Sequence, residues 1–150
     1  MEKTPIKVLF LCTGNACRSQ MAEGWARHLK GNAIQAYSAG VAPHSVDPHA
    51  VEVMAAVGVD ISGHTSKHLD ALADVAFDYV VTVCDNAAES CPIFPGKVTK
   101  VHRSFQDPPR LARDARTEEE ALSHYRRVRD EIRAFIETLP DALRQRECDT

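Results

Sequence analysis

The chain has 150 residues, of which 44% are hydrophobic and 26% are charged, an ordinary composition for one globular domain. Its formal net charge of −3 argues against a nucleic-acid-binding protein, because such proteins usually carry a basic excess. No run approaches the ~18 apolar residues that cross a membrane. We therefore expect a cytoplasmic, monomeric protein with one domain over residues 1–150 and a loose tail after about residue 140.

Apolar, β-rich runs alternate with helical patterns along the chain. Strands are predicted at residues 6–12, 33–40, 79–84 and 97–102. Helices are predicted from about Arg18, over 48–57, from a Thr65 or Ser66 cap to about Ala73, and after a capping box formed by Thr117 and Glu120. This alternation predicts an α/β fold, with a parallel sheet covered by helices on both faces.

Three residues with reactive side chains follow predicted strands. Cys12 ends the first strand, Cys84 ends the third, and Asp107 follows the fourth. Ligands of parallel α/β sheets bind beyond the carboxyl ends of the strands, so we expect these side chains at one common site.

The segment LCTGNACRSQ joins the first strand to the first helix and contains a C-x5-R pattern from Cys12 to Arg18. A loop of small residues before a helix presents backbone N–H groups to an anion, and Asn15 tolerates the left-handed conformation that a tight cradle needs. Arg18 can hold two oxygens of an oxyanion, and the same positive features stabilise a Cys12 thiolate, to which Ser19 can donate a hydrogen bond. The predicted oxyanion-binding residues are Thr13, Gly14, Asn15, Ala16, Cys17, Arg18 and Ser19.

No metal ion or other cofactor is expected. Zinc sites often contain C-x2-C pairs, but Cys12 and Cys17 are separated by four residues, and the sequence offers no C-x2-C pair elsewhere. The predicted Thr65 or Ser66 cap leaves His64 outside the helix that holds His68. We interpret Cys17 as a packed loop residue, and Cys148 has no assigned role.

A second cysteine pair, Cys84 and Cys91, stands in VCDNAAESCP. A helix over this segment would hold the two Cα atoms about 10 Å apart, whereas a disulfide needs roughly 4.4–6.8 Å. The segment can therefore be helical or disulfide-bonded, but not both at once, and we hypothesise a redox-gated switch.

Electron counting separates two possible reactions. Hydrolysis of a phosphate ester through cysteine takes one thiol and an acid, for which Asp107 in FQDPP is the candidate. Reduction of an oxyanion by two electrons takes two thiols, and a third is needed to bring the disulfide to the surface. Cys12, Cys84 and Cys91 can supply all three.

The motifs CTGNACRSQMAEGW, YSAG, DISGHTS, VVTVCDNAAESCP, DPP and RVRDEI together resemble the thioredoxin-coupled arsenate reductases, which share the fold of low-molecular-weight protein tyrosine phosphatases. The resemblance runs from about Ile6 to Phe135. It implies a four-stranded parallel sheet in the order 2-1-3-4 and arsenate as the substrate. It also implies that Cys12 attacks arsenate with help from Asp107, that a Cys12–Cys84 disulfide forms, and that a Cys84–Cys91 disulfide then passes to thioredoxin.

The chain departs from this family at several positions. Some members bind potassium through residues that match Asn15, Glu23 and Ser38, but Lys67 replaces their aspartate, so we expect its ammonium group instead of a potassium ion. Arg103 and Ser104 stand where members often have Trp-Gly.

Two other functions remain open on the sequence. A tyrosine phosphatase of this fold usually has aromatics where Pro109 and Arg110 stand and proline where Gln20 stands, although weak phosphatase activity is expected from the same loop. A redox sensor or oxyanion-binding module without turnover would need neither Asp107 nor the complete cradle.

Overall fold

Four parallel strands form the centre of the fold in the computed structural model, which describes residues 5–84 and 98–148, with side chains through Arg144. Their order is β2-β1-β3-β4, as the resemblance implied. The strands are β1 (Ile6–Cys12), β2 (Ile34–Gly40), β3 (Tyr79–Thr82) and β4 (Thr99–His102). β3 ends at Thr82, so Cys84 lies two residues past the strand that was predicted to contain it.

The helices that start at Arg18, Pro48 and Glu118 begin at or next to their predicted starts, whereas those at Pro108 and Asp141 were not predicted. The helices are α1 (Arg18–Lys30), α2 (Pro48–Ala55), α3 (Pro108–Ala112), α4 (Glu118–Glu137) and α5 (Asp141–Cys148), with a short 3-10 helix at Leu69–Leu72. The predicted cap of α4 is present, because Thr117 Oγ1 accepts from the Glu120 N–H at 3.0 Å and the Glu120 carboxylate accepts from the Arg116 N–H at 3.1 Å.

Helices and loops cover both faces of the sheet. Residues 8–11 of β1 are fully buried although successive side chains point to opposite faces. The apolar stripe of α4 is buried at Leu122, Tyr125, Val128, Ile132 and Ile136, and half-buried at Phe135. α1 and α4 are joined by a hydrogen bond from Trp25 Nε1 to the Arg129 carbonyl. Within the described part of the chain, no helix is both long and apolar enough for a membrane span.

Two expectations differ from the structure. His68, rather than Thr65 or Ser66, caps the short helix, and its Nδ1 accepts from the Asp70 N–H. The Ser66 hydroxyl instead donates to the Gly14 carbonyl in the loop that follows β1, and the Thr65 carbonyl accepts from the Gln20 side chain in α1. The tail beyond residue 140 was expected to be loose, but it continues as α5, because the apolar Leu143 side chain is buried in the core.

The strand register places the ends of β1 and β3 side by side. Leu11 is paired with Thr82, and the Val83 N–H donates to the Leu11 carbonyl at 2.9 Å. Continuing this register by two residues brings Thr13 next to Cys84. The sheet thus joins two segments that are seventy residues apart in sequence.

Candidate active site

Cys12 lies at the end of β1, 3% exposed, with its sulfur inside the loop that leads to α1. The Asn15 N–H donates to Cys12 Sγ at 3.2 Å, and Ser19 Oγ lies 2.8 Å from the same sulfur. Asn15 has a φ of 48°, the left-handed conformation predicted for this position. These contacts hold the Cys12 sulfur at the N-terminus of α1, where the helix dipole favours a bound anion.

A chain of hydrogen bonds leads from Lys67 through Asn15 to Ser19 and the Cys12 sulfur. The Lys67 N–H donates to Asn15 Oδ1 at 2.9 Å, so the other amide atom of Asn15 is the NH2 group. That NH2 group donates to Ser19 Oγ at 2.8 Å. Ser19 Oγ accepts there and can donate its own proton to Cys12 Sγ, which is the hydrogen bond predicted from the sequence.

The carbonyl groups of the loop point outward, towards a neighbouring segment formed by residues 41–47. The N–H groups of Ala42, His44 and Asp47 each donate at 2.8 Å to a loop carbonyl, those of Thr13, Gly14 and Ala16 respectively. In a planar trans peptide the C=O and the following N–H point in opposite directions. The N–H groups of residues 14, 15 and 17 therefore point to the side of the loop where Cys12 lies, as the bond from Asn15 to the Cys12 sulfur illustrates.

Arg18 and Asp107 contact each other next to the loop that holds Cys12. Arg18 Nη1 donates to the Phe105 carbonyl at 2.9 Å, and its Nη2 lies 3.7 Å from Asp107 Oδ1. Asp107 has an extended backbone, with φ −88° and ψ 106°, as is usual for a residue before proline, and its side chain is 37% exposed. Cys12, Arg18 and Asp107 line one cavity of about 250 Å³, together with His44.

Cys84 stands beside this cavity. Its sulfur lies 3.3 Å from Thr13 Oγ1, and it lines a neighbouring cavity of about 680 Å³ that also contains Arg18 and Asp107. Cys12, Cys17 and Cys84 carry thiols rather than disulfides. Cys91 and the predicted switch between residues 84 and 91 lie outside the described residues.

Cys17 differs from Cys12 although it belongs to the same loop. Burial raises the pKa of the Cys17 thiol well above its ordinary value, and the carboxylates of Asp47 and Asp107 raise it further. Cys17 therefore remains protonated near neutral pH and is a poor nucleophile. This supports its interpretation as a packing residue.

Lys67 lies among the residues that the resemblance linked to potassium. Its ammonium group donates to the Thr65 carbonyl at 2.8 Å and to the Ser38 carbonyl at 3.3 Å, while Ser38 Oγ donates to the buried Glu23 carboxylate. Burial lowers the pKa of Lys67, and the negative charge of Glu23 opposes that effect. Among the described residues, no group of three or more His, Cys, Asp or Glu side chains is suited to a metal ion.

Sequence reasoning missed the role of Gly40. A Cβ at Gly40 would lie 2.6 Å from the Thr13 carbonyl oxygen and 2.9 Å from the Asn15 nitrogen, both in the backbone of the loop. The glycine that ends β2 is therefore required for the close approach of this strand to the loop. The sequence shows that Gly40 ends the YSAG motif, but its contacts with the loop arise only from the pairing of β1 with β2.

We predict that Gly40→Ala weakens binding of inorganic phosphate, as a probe of the loop, by about 10²-fold, because displacements of about 1 Å in a site have effects of this size. Gly63→Ala is the matched control, since a Cβ there meets nothing within 4 Å. Calorimetric titration with phosphate measures both. Equal phosphate affinity in the two variants would contradict the prediction.

Comparisons with known proteins agree with this architecture. The family model of the low molecular weight phosphotyrosine protein phosphatases matches residues 7–148. The arsenate reductase of Bacillus subtilis (strain 168) is 47% identical over 135 residues, which cover 87% of this chain and 95% of the relative.

Two solved structures extend the comparison. A structure described as an arsenate reductase in the phosphate-binding state is 34% identical, with a TM-score of 0.68 and coverage of 89% of this chain and 95% of the other. A thioredoxin-dependent arsenate reductase from Corynebacterium glutamicum is 27% identical, with a TM-score of 0.63, over 92% of this chain and 63% of the other. The chain therefore belongs to the low molecular weight phosphotyrosine protein phosphatase family, and its similar members include arsenate reductases.

Proposed function

We propose that this chain is an arsenate reductase that takes its electrons from thioredoxin. The observation that carries the proposal is the second thiol, Cys84, held beside Thr13 at the rim of the oxyanion loop. A phosphatase of this fold needs only the nucleophile and an acid, whereas a two-electron reduction needs a second thiol within reach. A relative that is 47% identical is named an arsenate reductase, which supports arsenate as the substrate. The thioredoxin-dependent relative supports thioredoxin as the reductant.

In the first step, arsenate enters the cavity above Cys12, where the inward N–H groups of the loop and the guanidinium of Arg18 bind its oxygens. The Cys12 thiolate attacks arsenic and forms a sulfur–arsenic bond. Asp107, which lines the same cavity, gives a proton to the departing oxygen, which leaves as water. General acid catalysis of this kind contributes ~10²–10⁴ in rate.

In the second step, the Cys84 sulfur attacks the sulfur of Cys12 and loses its proton. The sulfur–arsenic bond breaks and its electron pair stays on arsenic, so As(V) becomes As(III) while two thiols become the Cys12–Cys84 disulfide. Cys91 then attacks Cys84, which releases Cys12 and leaves a Cys84–Cys91 disulfide for thioredoxin to reduce. The relay oxidises one dithiol for each arsenate.

The same site supports a slow phosphatase reaction, because Cys12, Arg18 and Asp107 are also the groups that a cysteine phosphatase uses. Pro109 and Arg110, which follow Asp107, offer no aromatic surface on which a phosphotyrosine ring could stack. We therefore propose arsenate reduction as the main activity of a monomeric, single-domain enzyme. Thiols that are recycled in this way fit the reducing conditions of the cytoplasm.

The test is a coupled assay in which arsenate-dependent NADPH oxidation is followed in the presence of thioredoxin and thioredoxin reductase. We expect turnover that requires both arsenate and thioredoxin, and only slow hydrolysis of an aryl phosphate. Cys91→Ser should remove the thioredoxin-dependent turnover. Rapid aryl phosphate hydrolysis without any arsenate-dependent NADPH oxidation would identify a phosphatase instead.

A further inference from the structure

One carbonyl of the oxyanion loop is held differently from its neighbours. Among the carbonyls of residues 13–16, three accept from backbone N–H groups of segment 41–47. The fourth, that of Asn15, accepts from the side chain of Gln20, whose Nε2 lies 3.0 Å away. A backbone N–H is present in every residue except proline, but this fourth hydrogen bond depends on a glutamine.

Gln20 is buried in the first turn of α1, with 0% exposure, and its amide has a single possible orientation. Nε2 also donates to the Thr65 carbonyl at 3.1 Å, so it faces two carbonyl oxygens. An amide oxygen in that position would be repelled by both. Oε1 therefore points to His64, whose Nδ1 lies 3.0 Å away.

His64 completes this arrangement from the other side. Because Gln20 Oε1 can only accept, His64 carries a proton on Nδ1. The same nitrogen lies 3.3 Å from the carboxylate of Glu23, a second acceptor. All polar atoms of Gln20 thus have partners, and their directions leave Nε2 fixed against Asn15.

We propose that Gln20 is a positioning residue for oxyanion binding, which aims the Ala16 N–H into the cradle by holding the Asn15 carbonyl on the opposite side. The two groups belong to one planar peptide, so the direction of one fixes the direction of the other. Asn15 has a left-handed backbone, and its peptide is the one that segment 41–47 leaves without a backbone donor. Gln20 thereby completes the set of inward N–H groups at residues 14, 15, 16 and 17.

This inference rests on the proposed function only for its effect on arsenate turnover. Phosphate binding tests it independently, because a tetrahedral anion should use the same N–H groups whether or not the chain reduces arsenate. Failure of the coupled assay with intact phosphate binding would overturn the proposed function and leave this inference standing.

The experiment compares Gln20→Met and Gln20→Glu with the wild-type chain by calorimetric titration with inorganic phosphate and by 15N–1H NMR of the Ala16 amide. Methionine cannot donate a hydrogen bond, and an ionised glutamate presents oxygen to both carbonyls. We expect the Kd for phosphate to rise about tenfold or more in both variants, since loss of one oxyanion donor can reduce catalysis by about 10²–10³. The Ala16 amide signal should no longer shift when phosphate is added, and kcat/KM for arsenate should fall in parallel.

Trp25→Phe is the control for stability, because it removes a different buried hydrogen bond, that from Trp25 Nε1 to the Arg129 carbonyl. It should lower Tm without a change in the Kd for phosphate. Gln35→Met is the control for the chemical change at an exposed position of β2. Gln20→Glu decides the question if Gln20→Met does not fold. Phosphate affinity within about twofold of wild type in a folded Gln20 variant, with a normal Ala16 response, would overturn the proposal.

Discussion

Cys12→Ser is expected to abolish arsenate reduction, with a loss of at least about 10³-fold, as removal of an essential nucleophile does. The serine hydroxyl stays protonated at neutral pH and cannot form a disulfide, so both proposed steps fail. The loop itself should survive, because a serine oxygen can accept from the Asn15 N–H and from Ser19 as the sulfur does. The coupled thioredoxin assay measures the loss.

Phosphate binding separates loss of chemistry from loss of structure in this variant. The N–H groups and Arg18 are unchanged, and a negative thiolate is no longer present, so the affinity for phosphate should be retained or increased. Cys148→Ser is the control for replacement of a cysteine outside the proposed relay. Arsenate turnover by Cys12→Ser within about tenfold of wild type would mean that another residue is the nucleophile.

Cys84→Ser is expected to stop arsenate turnover while aryl phosphate hydrolysis continues near the wild-type rate. The hydrolytic reaction uses Cys12 as the nucleophile and Asp107 as the acid, and it needs no second thiol. Serine preserves the size of the side chain and can keep the hydrogen bond to Thr13. The expected result is therefore a separation of two activities in one variant.

Cys17 should not replace the missing thiol in Cys84→Ser. Its thiol has a raised pKa because it is buried, and thiol–disulfide exchange requires a thiolate as the attacking group. Parallel assays with arsenate plus thioredoxin and with an aryl phosphate measure the two activities. Loss of both activities to the same degree would show that Cys84 supports the fold of the loop rather than electron transfer.

Much of the site could be predicted because its information is local in sequence. The strand–loop–helix junction fixes where Cys12, Asn15 and Arg18 lie relative to one another, and the tolerance of Asn15 for a positive φ is a property of that residue. The apolar stripe of α4 was equally local, since a period of 3.6 residues selects the buried face.

Features that depend on tertiary contacts were not accessible in the same way. The role of Gly40 follows from the distance between β2 and the loop, and the orientation of the Gln20 amide follows from its contacts with Thr65 and His64. Ser66 has the side chain of a good helix cap, but its hydroxyl donates to the Gly14 carbonyl of the loop instead. Local preference was overridden where a distant segment offered a partner.

The backbone bonding of segment 41–47 has a consequence for how the protein can evolve. Ala42, His44 and Asp47 hold the loop with their main-chain N–H groups, so the cradle places no demand on which side chains occupy those three positions. For these bonds only proline is excluded, because it lacks the N–H, although the Asp47 carboxylate also accepts from the His49 N–H and the Tyr125 hydroxyl. The rim of the site can therefore diversify among relatives, and with it the preference for one oxyanion over another, without a change in the geometry around Cys12.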